Sequence, residues 1–139
     1  MLHHDIRQRA LLSNCRIWIY RDPENRCVGF GTLDVCSDYE QYTSGQPHPY
    51  IPLLAVNPTL KSLGYGSSIL NHLIDEAAVL ARNELSHEFL LLDVYLSSER
   101  AIKLYDEQGF VRITPDPVED PIEGKPFIVM AKRVGVANE

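Results

Sequence analysis

Basic residues are in short supply in this 139-residue chain: 13 Lys and Arg stand against 19 Asp and Glu, a formal net charge of −6. Proteins that grip nucleic acid neutralise phosphates with clustered cations, so this balance weighs against that partner and toward cationic ones. Cysteine is scarce too. Cys15, Cys27 and Cys36 are odd in number and show no CxxC spacing. That argues against a disulfide framework or a zinc site and makes a reducing cytoplasm the expected compartment. Cys15 and Cys27 are expected on neighbouring strands, as small buried thiols. No apolar run approaches the roughly 20 residues of a membrane span, and the opening MLHHDIRQRALL lacks the apolar stretch and cleavage pattern of a signal peptide. Repeats and low-complexity tracts are absent as well. The 45% hydrophobic content is enough for a core, so a single domain over 1–139 is expected, with a frayed tail at 135–139.

What is present alternates between two periodicities. CRIWIYR (15–21) has the period of two of a strand, DPEN (22–25) is a turn, and RCVGFGTLDV (26–35) is the returning strand. Gly29 and Gly31 in that strand signal a bulge or a close approach by another chain or ligand. CSDYEQYTSGQPHP (36–49) reads as a polar loop. YIPLLAV (50–56) is a strand containing Pro52, which has no N–H for a ladder, so a bulge or a strand pulled from its neighbour is required. From Ser67 to Asn83 the apolar residues Ile69, Leu70, Leu73, Ile74, Ala77, Ala78 and Ala81 follow a helical period. FLLLDVYL (89–96) is apolar on both faces, as a buried strand with parallel neighbours is. Ser97 or Ser98 can cap a helix over 99–108, and Gly109 suits its C-terminal end. FVRI (110–113) and PFIVMAKRV (126–134) are strands, with an exposed loop over 114–125. A hairpin followed by a helical crossover implies an α/β (α+β) fold with a mixed, mostly antiparallel sheet.

The stretch LKSLGYGSSIL (60–70) is the most informative. A glycine-rich turn opening a long helix presents unpaired N–H groups and partial positive charge, an anion site. It is neither of the commonest kinds. No Lys follows Gly66 as a P-loop requires, and Ile69 stands where the dinucleotide fingerprint needs glycine.

Leu54, Ala55, Val56 and Pro58, then Gly64 and Gly66, form one motif; Ala101, Ile102, Leu104, Tyr105, Gly109 and Phe110 form a second, about 40 residues on. Together they resemble the GNAT acyltransferase superfamily, over the span from the 15–35 hairpin to about residue 113. The resemblance implies a sheet whose parallel strand pair splays to admit the pantetheine arm of acetyl-CoA, flanked by helices. It places the pyrophosphate on backbone amides of 62–67. The implied cofactor-binding set is Leu54, Ala55, Val56, Lys61, Ser62, Leu63, Gly64, Tyr65, Gly66, Ser67, Ser98 and Tyr105, with no metal. Lys61 replaces the family's Gln or Arg and keeps the charge; Ser98 replaces its usual Asn. With some 14 residues before the 15–21 strand, the family's first strand and paired helices are expected to be curtailed. That leaves the acceptor pocket open or completed by a second copy in a homodimer.

Acyl transfer from a thioester to an amine needs a neutral amine, an oxyanion donor and a proton for the leaving thiolate. The resemblance nominates the N–H near Leu54 or Ala55 as donor and Tyr105 as acid; the alternative for Tyr105 is a core packing role. Asp93, a carboxylate in an apolar strand, is either paired or functional, and in the family branch that acetylates protein N-termini a Glu at this place is the base. His48, Tyr50 and Asp34 are lesser candidates; His72 and His87 are expected on the solvated surface. The reading is a cytoplasmic N-acyltransferase carrying acetyl from acetyl-CoA directly to a primary amine on a small molecule or protein. The alternatives are a non-catalytic acyl-CoA-binding or regulatory domain, or a subunit acting only within an assembly, and an acetyltransferase toxin acting on aminoacyl-tRNA, the last disfavoured by the acidic balance.

Overall fold

The computed structural model describes residues 3–8, 15–34, 48–60, 63–83 and 89–134. Nine strands form one sheet among these residues: β1 (His3–Gln8), β2 (Cys15–Arg21), β3 (Cys27–Asp34), β4 (Tyr50–Ile51), β5 (Leu54–Val56), β6 (Phe89–Tyr95), β7 (Val111–Arg112), β8 (Val118–Glu119) and β9 (Pro126–Arg133). Two α-helices, α1 (Tyr65–Asn83) and α2 (Glu99–Glu107), accompany them. The main path runs β1-β2-β3-β4-β6-β9-β7, with β5 beside β3 and β8 beside β9. All pairings are antiparallel except β4 with β6. The expected mixed sheet with one parallel pair is therefore the architecture found.

Alternation along β2, β3 and β6 sorts the side chains. Trp18, Tyr20, Leu90, Leu92 and Val94 join Ile69, Leu70, Leu73 and Ala77 of α1 in one buried cluster, so these residues define the helix-covered face. Ala101, Ile102, Leu104 and Tyr105 of α2 pack on the same cluster. Leu91, Asp93 and Tyr95 consequently point to the opposite face. The close approach signalled by Gly29 is made by the chain itself: a Cβ there would run into the carbonyl oxygen of Ala55 and sit 2.9 Å from Ile69 Cδ1.

Four expectations need correction. A strand precedes residues 15–21 where none was expected: β1 pairs with β2 along its whole length, from His3 opposite Arg21 to Gln8 opposite Arg16. With one apolar residue in HHDIRQ, it carried no periodic signal. The loop 114–125 contains β8, and its Thr114 is buried and accepts the Val129 N–H. Cys15 is buried as expected but Cys27, at the other end of the hairpin, is exposed. His72 is not solvated surface: its Nδ1 is hydrogen-bonded to the Tyr20 hydroxyl at 2.7 Å, and its Nε2 lies 3.5 Å from Glu76. Residues 135–139, Cys36, Lys61, Ser62 and His87, on which other expectations fell, lie outside the described residues.

Candidate active site

Pro52 shapes the centre of the sheet. Tyr50 stands opposite Asp34 and Leu54 opposite Gly31, so four steps along one strand match three along the other. One extra residue is a β-bulge, which bends a strand and ends its pairing. Before the bulge, Tyr50 and Ile51 pair with Leu91 and Leu92 of β6; after it, Leu54–Val56 pairs only with β3. The sheet therefore opens between β5 and the Asp93–Tyr95 half of β6. The hydrogen bonds Thr32 N–H to Leu53 O and Asn57 N–H to Val28 O set the phase of β5. Residues 53, 55 and 57 direct their amides at β3, which leaves the N–H and C=O of Leu54 and Val56 facing the gap. Of the two nominated donors, Ala55 is thereby committed to β3.

The glycine turn follows at the rim. Gly64 has φ +81°, a left-handed conformation that side chains rarely adopt. It lets the chain turn from the short 3-10 helix Pro58–Leu60 into α1. The first i to i−4 bond of α1 is Ser68 N–H to Gly64 O, at 3.1 Å, so the amides of Tyr65, Gly66 and Ser67 come before any intrahelical acceptor. A Cβ at Gly66 would stand 3.6 Å from Val56 Cγ2 and 3.7 Å from Leu104 Cδ2. The protein itself has room for a side chain there. A longer one would fill the space beside Val56 and Leu104, next to those amides.

Across the gap, Asp93 and Tyr105 stand on opposite sides of the sheet. Asp93 accepts a hydrogen bond from the Tyr50 hydroxyl on Oδ2 at 3.0 Å. Tyr105, on α2, packs its ring near Phe110 at a centroid distance of 5.9 Å, and its hydroxyl has no hydrogen-bond partner among the described residues. Burial pushes the Tyr105 phenol above the ordinary tyrosine value of 10.0, and the nearby Asp93 charge pushes it further. The phenol is therefore protonated throughout the neutral range.

A pocket of about 470 Å³ opens on the Asp93 face, walled by Pro52, Asp93, Tyr95, Asp120, Ile122 and Phe127 among others. The Tyr95 hydroxyl donates to Asp120 Oδ2 at 2.6 Å, and Asp120 Oδ1 accepts the N–H groups of Ile122 and Glu123 at 2.8 and 3.3 Å. Bonding to Asp120 raises the Tyr95 phenol to about 12, while the Tyr95 hydroxyl and then the two amides hold Asp120 below its usual range. Among the described residues no group of three His, Cys, Asp or Glu side chains could hold a metal ion.

A family model for the acetyltransferase (GNAT) family matches residues 2–110. The chain belongs to that family. The match begins at the strand β1, earlier than the two motifs alone reached. Among solved structures, the ribosomal-protein-S18-alanine N-acetyltransferase from Escherichia coli superposes with a TM-score of 0.68 at 24% identity, covering 91% of this chain and 73% of that one. Mutant forms of the spermidine/spermine N-acetyltransferase SpeG from Vibrio cholerae give 0.67 at 18% identity, covering 87% and 68%. A dodecameric spermidine N-acetyltransferase from the same organism gives 0.67 at 19%, covering 87% and 66%. The comparison with curated proteins gave no match. At these identities the superpositions show the GNAT fold, in which the β5–β6 opening is the feature of interest.

Within this GNAT domain the structure gathers Leu54, Ala55, Val56, Leu63, Gly64, Tyr65, Gly66 and Ser67 along one side of the opening, on β5 and the start of α1. Asp93 and Tyr105 stand on the other side, on β6 and α2. Ser98 takes the N-cap position of α2, but its side chain makes no capping hydrogen bond. His48 is set apart; it is buried and its Nδ1 accepts the Phe89 N–H. Asp34 lies opposite Tyr50 at the end of β3. Tyr95 and Asp120 were passed over by the sequence reading. The period of two placed Tyr95 on the face of Asp93, a usable signal; nothing local announced Asp120.

Proposed function

We propose that this chain is an N-acetyltransferase that carries an acetyl group from acetyl-CoA to a primary amine by direct transfer in a ternary complex, in the cytoplasm. One observation carries the reading. The sheet opens at the Pro52 bulge with free β5 amides on one side of the gap and Asp93 and an unpartnered Tyr105 phenol on the other.

When acetyl-CoA binds, Leu54 and Val56 would offer their free N–H and C=O groups to the pantetheine amides, and the amides of Leu63–Ser67 would hold the pyrophosphate. The amine enters from the pocket on the Asp93 face. Its nitrogen lone pair attacks the thioester carbonyl, and the Leu54 N–H supports the oxyanion. The nitrogen proton passes to Asp93, which Tyr50 orients. Collapse of the tetrahedral adduct breaks the C–S bond, and Tyr105 supplies the hydrogen bond or proton that the departing sulfur needs. Donor and acceptor thus meet from opposite faces of one sheet.

The test is thiol release from acetyl-CoA across a panel of amines, run beside calorimetry with acetyl-CoA alone. Amine-dependent release at saturating acetyl-CoA is expected. Binding of acetyl-CoA without turnover of any amine would make the domain a binder and not an enzyme.

A further inference from the structure

The acceptor pocket is built asymmetrically. Two carboxylates line it: Asp93 beside the gap, and Asp120, held on the hydroxyl of Tyr95, two residues along β6 from Asp93, and by two backbone amides of its own turn. Phe127, Pro52, Val94 and Ile122 give the same pocket apolar surface beside the two carboxylates, Ile122 being 92% exposed. Among the described residues none that lines it is a cation. Lys125 stands over the Tyr95 ring at 5.6 Å and is paired with Glu123 at 3.2 Å. The turn that carries Asp120 is closed by Asp120 N–H to Lys125 O and Gly124 N–H to Asp120 O, so this carboxylate has a fixed position.

We infer that the pocket takes an acceptor with two cationic amines joined by an alkyl spacer, one reacting at Asp93 and the other held by the Asp120 carboxylate that Tyr95 positions. This rests on the acetyl-transfer reading above and deepens it. Apolar surface beside two carboxylates matches methylene groups between two ammonium ions, since burying CH₂ is favourable and each charge keeps a counter-charge. An amino acid or acidic peptide brings a carboxylate that finds no cation on these walls and meets two like charges. A volume of about 470 Å³ lies in the range of small-molecule sites.

The experiment is steady-state thiol release with α,ω-diamines, chain-matched monoamines and free amino acids, using the wild-type chain and Asp120→Asn. The variant keeps one oxygen for the turn amides and turns its NH2 toward Tyr95 Oη, which can accept, so the wall persists while its charge goes; Asp120→Glu serves as the charge-restoring control. Diamines should exceed monoamines in kcat/KM by about tenfold or more, the scale of one charge-assisted contact. Asp120→Asn should erase that preference through KM, leaving kcat for monoamines unchanged, and Asp120→Glu should recover part of it. Equal kcat/KM for diamines and monoamines, or a preference for amino acids, overturns this inference and leaves acetyl transfer standing. A preference that survives in Asp120→Asn overturns the role of Asp120. Turnover of no amine overturns acetyl transfer and this inference together.

Discussion

Replacing Tyr105 with Phe removes one oxygen and keeps the ring that packs on the core, so the fold and acetyl-CoA affinity should be nearly conserved. The size of the loss follows from acidities. A thiol ordinarily titrates near about 8.5 and a tyrosine near about 10, and burial and Asp93 place Tyr105 higher still. Full transfer of the phenolic proton to the thiolate is therefore uphill, and the hydroxyl acts mainly by donating a hydrogen bond as negative charge gathers on sulfur. General-acid losses run from about 100- to 10,000-fold; this one belongs at the low end, about 100-fold or 2.7 kcal/mol. An interaction made only in the transition state should lower kcat and kcat/KM together. Because burial and then Asp93 hold the phenol above 10.0, it stays protonated around neutrality and the deficit should be constant from about pH 6 to about pH 8. The assay is thiol release by both proteins over that series. A variant within about threefold of wild type at every pH, far below the general-acid range, would return Tyr105 to a packing role.

Gly66→Asp puts a side chain into the space beside Val56 and Leu104 and a negative charge at the start of α1; acetyl-CoA binding should weaken by roughly 2 kcal/mol or more in calorimetry. Asp93→Asn keeps an oxygen for the Tyr50 hydroxyl but removes the proposed base, so kcat should fall and the acidic limb of the pH–rate profile should change while Kd for acetyl-CoA holds; full kcat with earlier melting would make Asp93 structural. Asp22 is a prediction about stability: burial pushes its carboxyl up, but bonds from the Arg26 amide, the Arg26 guanidinium and the Glu24 amide outweigh this and leave it below 3.8. A depressed carboxylate stabilises the fold above its unfolded value and loses that contribution as pH falls through the folded one. Asp22→Asn should therefore unfold at lower urea than wild type at pH 7, with the difference shrinking below about pH 3.8.

Legibility in the sequence followed the range of the interactions that fix each element. Helix α1 was plain because its apolar period is local and the φ +81° at Gly64 is a demand that one residue type meets. The break between β4 and β5 was visible through Pro52, since a missing donor is a property of the residue itself. Asp93 stood out because a carboxylate among Leu90, Leu91, Leu92 and Val94 conflicts with its surroundings. The strand β1 was illegible; HHDIRQ pairs as an edge and needs no apolar alternation to do so. Tyr95 and Asp120 meet across 25 residues, and His72 meets Tyr20 across 52. Contacts of that kind exist only once the sheet has brought distant segments together.

The central claim is that this opening in the sheet moves an acetyl group onto an amine. Cell extract incubated with the protein and acetyl-labelled acetyl-CoA, then analysed by mass spectrometry, tests it most directly. The account predicts label on an amine nitrogen of an acceptor, in amounts equal to the free CoA formed and abolished in Gly66→Asp. Acetyl-CoA that binds but returns its label intact, or label found on the protein itself with none on any amine, would contradict it.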